Sequence, residues 1–321
     1  MSTAVASAPK QIPIVCPGHT RPLAELQYVC LNDNTSDTFL LSACHDKMPM
    51  IRNGETGDWI GTWMGHKGAV WSCQMDPTGN LAATASGDFS ARVWDAITGS
   101  SLIALPHKHI VKTCVFSPNS EKLATGGKEA SLRIYDLTKL LAKKDAPKDP
   151  SLELKQESPI TKLAWMTNDL LLCACMNGKI YLWNTSSKEL VRTLDTSEGA
   201  EIRDMEVQTL EGSNKSILSV AAGTKVYFFD LDTYGLLHEY KMPIHFREEG
   251  GVTLHPSGTK FVAGGSDLWV RVFDFGSGTE LECHKGHHGP IRCVRYAPDG
   301  KSYASGSEDG TIRLWKTTPE A

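Results

Sequence analysis

A repeat limits what this chain can fold into more than any other feature. Residues 286–315, GHHGPIRCVRYAPDGKSYASGSEDGTIRLW, form one unit with three short alternating segments at 291–296, 302–305 and 311–315. The turns APDG and EDG separate them, Gly supplying positive φ and Pro or Asp favouring the turn. Within the unit, His287, Ser305 and Asp309 stand 28, 10 and 6 residues before Trp315.

Used as a ruler, this unit fits elsewhere. Ending on Trp94 it meets His66, Thr84 and Asp88, a full match. Ending on Tyr135 it meets His107, Thr125 and Glu129, and ending on Phe273 it meets His245, Ala263 and Asp267. The N-terminal copy carries His19, Ser42 and Asp46, with five extra residues around 32–37 in its first turn. Two central copies are more degraded. One ends at Trp183 with Lys155 in place of His, the other at Phe229 with Gly223 in place of Asp.

The seven ends, at 52, 94, 135, 183, 229, 273 and 315, are spaced by 42, 41, 48, 46, 44 and 42 residues. Four short strands per unit at that period predict an all-β, single seven-bladed WD-repeat β-propeller. The fourth strand follows the Trp-Asp position, as at 59–63 or 280–283. Only six residues follow Trp315, so residues 11–16 are predicted to join the last blade and close the ring. The expected layout is a flexible tail at 1–10, the propeller at 11–316 and a short tail at 317–321.

Charge and cysteine content bound the function. Net charge is -4, which gives no global pull toward nucleic acid or an anionic membrane. No direct nucleic-acid binding is expected. No apolar run approaches a membrane span, and residues 1–10 lack the pattern of a signal peptide. Nine scattered cysteines form no disulfide framework and suit a reducing compartment, so a cytoplasmic and also nuclear location is expected.

His with Ser or Thr and Asp invites a hydrolase reading. Here the trio recurs at blade-fixed offsets without a G-x-S-x-G elbow, the pattern of structural networks rather than of one active site. Buried Trp donates, a hydroxyl donates and accepts, neutral His does both and Asp accepts, so a chain of them leaves no donor idle. His66, Thr84, Asp88 and Trp94, and His287, Ser305, Asp309 and Trp315, are predicted to form such chains. His107 with Thr125, and His19 with Ser42 and Asp46, are predicted to form partial ones. Neither the Cys173 and Cys175 pair nor the group Cys283, His284, His287, His288 and Cys293 has zinc-site spacing. No phosphate loop is present, and the pairs Gly126-Gly127 and Gly264-Gly265 read as close packing. No catalytic residue, metal or cofactor is expected.

Surface remains. Residues after the ruler His (Lys67, Lys108, Phe246, His288) and in the following turns (Phe89, Lys128, Leu268) are expected to share one rim. Phe89 and Trp269 are its candidate anchors. The charged, Pro-broken insertion at 137–150 reads as a solvated loop between blades three and four.

The pieces PGHTRP, GDWIGT, GHKGAVW, HKHIVKT, LRIYDL, KGHHGPIRCVRYAPDG and YASGSEDGTIRLW resemble the serine/threonine kinase receptor-associated protein family, also called UNR-interacting proteins. That resemblance is strongest in blades one to three and seven, and the tail reads as shorter than in animal members. It implies a non-catalytic scaffold of the survival-of-motor-neuron complex, held by Gemin proteins and assisting Sm-ring assembly on spliceosomal RNAs in mRNA splicing. For animal relatives it also implies contact with UNR and with transforming-growth-factor-β receptor signalling. The propeller itself is expected to be monomeric within a larger complex. The alternatives are a translation-initiation-factor-three subunit I homologue, whose last blade has similar GHxGP and SGxEDG character, and a hydrolase using the repeated His, Ser and Asp.

Overall fold

The computed structural model describes residues 11–31, 38–142, 147–247 and 250–318. The expected tail at 1–10, the extra residues at 32–37 and the last three residues lie outside them. Seven antiparallel sheets follow one another along the chain. Blade two shows the plan: Val70–Met75, Leu81–Ser86, Ser90–Asp95 and Ser101–Pro106, each strand bonded to the next. Each blade's first strand packs on the first strand of the next, and the seventh packs on the first. The chain is therefore a seven-bladed propeller with its first strands around a central axis.

Closure occurs through the N-terminal segment, as predicted. Ile14–Cys16 joins blade seven, pairing Ile14 with Leu314, Val15 with Arg313 and Cys16 with Ile312. The strand proper is shorter than 11–16. Gln11 Nε2 still donates to Lys316 O at 2.9 Å.

Second strands such as LAATAS and KLATGG are small and apolar because a neighbouring blade covers each face. At Gly126 an added Cβ would lie 2.7 Å from Ile160 Cγ2, and at Gly264 2.5 Å from Ile291 Cγ2. In both cases the neighbour is the first residue of the next blade's first strand, so the glycines let blades approach. Outermost strands such as Glu189–Asp195 are mostly exposed.

Blade five departs from the plan. Ser216–Asp230 is one extended stretch of 15 residues. It folds back on itself at Gly223, whose φ is +60°, and Leu231 N–H donates to Ser216 O at 3.0 Å across the hairpin. Glycine replaces the ruler Asp here because so tight a reversal has no longer turn for an Asp to brace. Leu236–Phe246 then runs for 11 residues as the last strand.

The insertion lies within blade three, between its third strand Ser131–Asp136 and its fourth strand Leu152–Lys155, rather than between blades three and four, and it is not simply a solvated loop. Leu137–Ala142 is a short α-helix with Leu137 and Leu140 buried in the core between blades two and three. Asp136 caps it, its Oδ1 accepting from Thr138 Oγ1 at 2.6 Å and Lys139 N–H at 3.2 Å. No helix among the described residues is long and apolar enough to cross a membrane.

Candidate functional site

In blade seven, Trp315 Nε1–H donates to Ser305 Oγ at 2.8 Å, and Ser305 Oγ lies 2.8 Å from His287 Nε2. The indole occupies the hydroxyl's acceptor side, so the hydroxyl proton goes to Nε2 and the ring carries its own proton on Nδ1. That nitrogen faces Asp309 Oδ2 at 3.1 Å. Burial pushes the His287 pKa down to about 4, against the pull of Asp309, so the ring is neutral at pH 7. Burial acts to raise Asp309, but the His288 N–H and the Thr311 hydroxyl outweigh it and bring its carboxyl down to about 2.

Blade two repeats the arrangement. Trp94 Nε1–H reaches Thr84 Oγ1 at 2.8 Å, and His66 spans Thr84 at 2.6 Å and Asp88 at 2.8 Å. In blade one His19 spans Ser42 and Asp46, both at 2.8 Å, but Arg52 stands at the Trp position and donates to Pro17 O and Gly57 O. Blade three is rewired. His107 Nε2 meets Thr125 Oγ1 at 3.3 Å, while Arg133 donates to His107 Nδ1 at 2.8 Å and to Glu129 at 2.6 Å. Burial, with Arg133 adding to it, holds the His107 pKa at about 4.

Blade six has no such chain: Ala263 and Phe273 carry no partner groups, and Asp267 pairs with Arg271 at 2.6 Å. In blade four the Trp183 indole turns to Gln156 Oε1 at 3.3 Å. Thr84 and Ser305 are fully buried and bonded on both sides, so neither hydroxyl can reach a substrate. His19, Cys44 and Asp46 are the one group among the described residues with three metal-type donors close together. Both His19 nitrogens are engaged, however, and burial raises the Cys44 thiol to about 12, so the cluster offers no ready thiolate.

The candidate rim is only partly a rim. Lys67, Lys108 and His288 are exposed, and each backbone N–H is tied to the turn acid of its own blade, Asp88, Glu129 or Asp309. Phe89 is 46% exposed at φ +64°, its ring 5.5 Å from His109, and Leu268 is 41% exposed. Trp269 is half-buried under Lys285 Nζ at 4.1 Å. Lys128 is half-buried, its Nζ 3.1 Å from Met176 Sδ. Phe246 does not belong. It is 2% exposed in the core between blades five and six, because the last strand of blade five continues through it rather than ending in a loop.

The axis of the ring holds charges that the ruler did not single out. Glu25 and Lys162, from opposite blades, meet at 2.5 Å. Arg295 clamps Asp204 with two bonds of 2.7 Å and lies 3.4 Å from Glu206. Burial lifts the Glu206 pKa to about 7 despite Arg295.

The WD domain, G-beta repeat family matches residues 57–95, 99–136, 149–184 and 278–316. The chain is 42% identical over 307 residues to the serine-threonine kinase receptor-associated protein of Dictyostelium discoideum, covering 95% of this chain and 98% of that one. It is 41% identical over 311 residues to the protein of that name from Homo sapiens, covering 97% and 84%. The chain belongs to the serine-threonine kinase receptor-associated protein family. A more distant relative is eukaryotic translation initiation factor 3 subunit I of Drosophila willistoni, 30% identical over 318 residues, covering 92% and 95%.

Within this receptor-associated protein family member, the four matched repeats contain the third strands of blades two, three, four and seven. The third strands of blades one, five and six fall outside the match. Those blades carry the Arg52 replacement, the Gly223 hairpin and the Ala263 and Phe273 pair, while blades three and four, where the polar chain is also altered, are matched. Sequence reasoning missed the axial charges because it followed residues conspicuous in the ruler. A signal existed. Trp71, Lys112, Gly250 and Arg292, which line the pocket next to the axial residues Lys162 and Asp204, all stand 23 residues before the ruler's end in their own blades, a position that the ruler did not track.

Proposed function

We propose that the protein is a non-catalytic interaction scaffold of the survival-of-motor-neuron complex, attached through Gemin proteins and assisting Sm-ring assembly on spliceosomal RNAs. The reading places it in the cytoplasm, with a nuclear pool. The observation that carries it is the near full-length relationship, at 41–42% identity, to proteins named as receptor-associated. The sealed Thr84 and Ser305 hydroxyls support the non-catalytic part. The same relatives' name supports contact with serine-threonine kinase receptors, and UNR is a further proposed partner.

Affinity purification of the tagged protein from native lysate tests the assignment. Gemin and Sm proteins in the eluate are the expected result. Initiation-factor subunits in fixed ratio would overturn it in favour of the relationship at 30% identity.

A further inference from the structure

The first strand of six blades carries a register shift near its start, and the residue at the shift is Ala24, Trp71, Lys112, Thr161, Arg203 or Arg292. Gly250 holds the corresponding place beside blade six. A bulge re-aims the side chain that it carries. All seven residues line one funnel at the end of the axis. This ring therefore contributes three cations, one indole and no acid. One step deeper, the charges are paired with each other, Glu25 with Lys162 and Asp204 with Arg295. Among the described residues, Glu201, which also lines the funnel, lies 2.9 Å from Arg203, and Glu308 lies 3.2 Å from Arg292.

Two further observations point to a ligand. Lys112 Nζ sits 2.9 Å from the centroid of the Trp71 ring, while the Trp71 indole N–H is buried and meets no acceptor among the described residues. His45 packs edge-on against Trp71 at 4.3 Å, its Nε2 also unpartnered. Burial, reinforced by Arg292 and Lys112, drives the His45 pKa down to about 4, so the ring is neutral at pH 7.

We propose that the funnel mouth is a binding site for an acidic peptide segment of a protein partner, one anionic side chain entering between Lys112, Arg203 and Arg292 beside the Trp71 ring. Guanidinium forks and an ammonium suit a carboxylate or phosphate oxygen. A single narrow funnel with one aromatic platform, on a protein of net charge -4, fits one inserted side chain. A nucleic-acid strand instead needs a basic groove with successive platforms. The site goes beyond the scaffold assignment and does not depend on which complex the protein joins. Its test uses the purified chain alone and can fail independently.

The test follows the Trp71 indole N–H by ¹H–¹⁵N NMR, assigned through Trp71→Phe. The protein is titrated with degenerate peptide pools bearing a fixed central glutamate, phosphoserine or glutamine, and with oligouridylate. The expected result is a shift of that resonance with the two anionic pools, weakening as salt rises and absent with glutamine. Lys112→Gln and Arg292→Gln should each weaken binding roughly tenfold or more, the loss of one charged hydrogen bond, whereas Lys112→Arg and the exposed Lys301→Gln should not. Unchanged indole resonances elsewhere certify that the variants are folded. No response to either anionic pool, an equal response to glutamine, tighter oligouridylate binding, or unweakened binding in both folded Gln variants would each overturn the proposal.

Discussion

Replacing Ser305 by Ala isolates what the polar chain contributes to the ring. The hydroxyl is fully buried, and its loss leaves the Trp315 N–H, in a side chain 1% exposed, without an acceptor and His287 Nε2 without a donor. Each stranded group costs about 1–3 kcal/mol, so Ser305→Ala should cost roughly 2–6 kcal/mol. That is a large share of a domain's usual ~5–15 kcal/mol. Blade six supplies the internal comparison. There Ala263 faces Phe273, and no donor is stranded because Phe has none. Ser305→Ala combined with Trp315→Phe should therefore cost less than the two single changes added together. Urea unfolding followed by circular dichroism at pH 7.5 measures all three variants. A Ser305→Ala loss below about 0.5 kcal/mol, or strict additivity in the double variant, would falsify the network account.

Acidification should weaken the fold through His107 and His287. Each takes up a proton near 6.5 when unfolded but only near 4 when folded, so stability rises with pH across that window and is lost as pH falls through it, by up to roughly 3 kcal/mol per ring. Glu206, raised from 4.5 to about 7, acts in the opposite sense, and Glu206→Gln should steepen the net rise measured by urea midpoints between pH 4 and 7. Deleting the first sixteen residues removes the three ladder pairs to blade seven and the buried Cys16, and should cost about 3 kcal/mol or more. A truncated chain that melts unchanged would count against closure by this strand.

Much of the architecture was legible because the propeller writes it in fixed offsets. The Trp and hydroxyl pairs at 94 and 84, and at 315 and 305, must meet to satisfy buried donors, so spacing alone located them. Where a blade solves the problem differently, the ruler lost resolution. Arg133 took over the His107 side of blade three, and the Gly223 hairpin removed the turn that an Asp would brace. Phe246 was misread because a His at the ruler position suggested a loop after it, whereas 11 residues of continuous strand carried it into the core. In the insertion, the charged and Pro-broken tail outweighed a local signal at its start, an Asp cap followed by leucines at 137 and 140. The funnel position was the hardest to see. Chemically unrelated residues, from Ala24 and Gly250 to Arg203, share one geometric place; a constant offset marks Trp71, Lys112, Gly250 and Arg292, and the bulges are needed to place Ala24, Thr161 and Arg203.

Ring closure by Ile14–Cys16 also sets the order of events during synthesis. Ile14 waits for Leu314, which is made 300 positions later. At ~5–20 residues per second, the interval is roughly 15–60 s. Throughout it the strand that will complete the final blade has no sheet to join, and the first blade has one neighbour rather than two. Six blades can stack in turn as they emerge, but the cooperative body exists only once the two ends meet. A nascent ring is thus open for longer than most of its local folding steps take, and this is when a chaperone or an early partner would find its apolar edge uncovered.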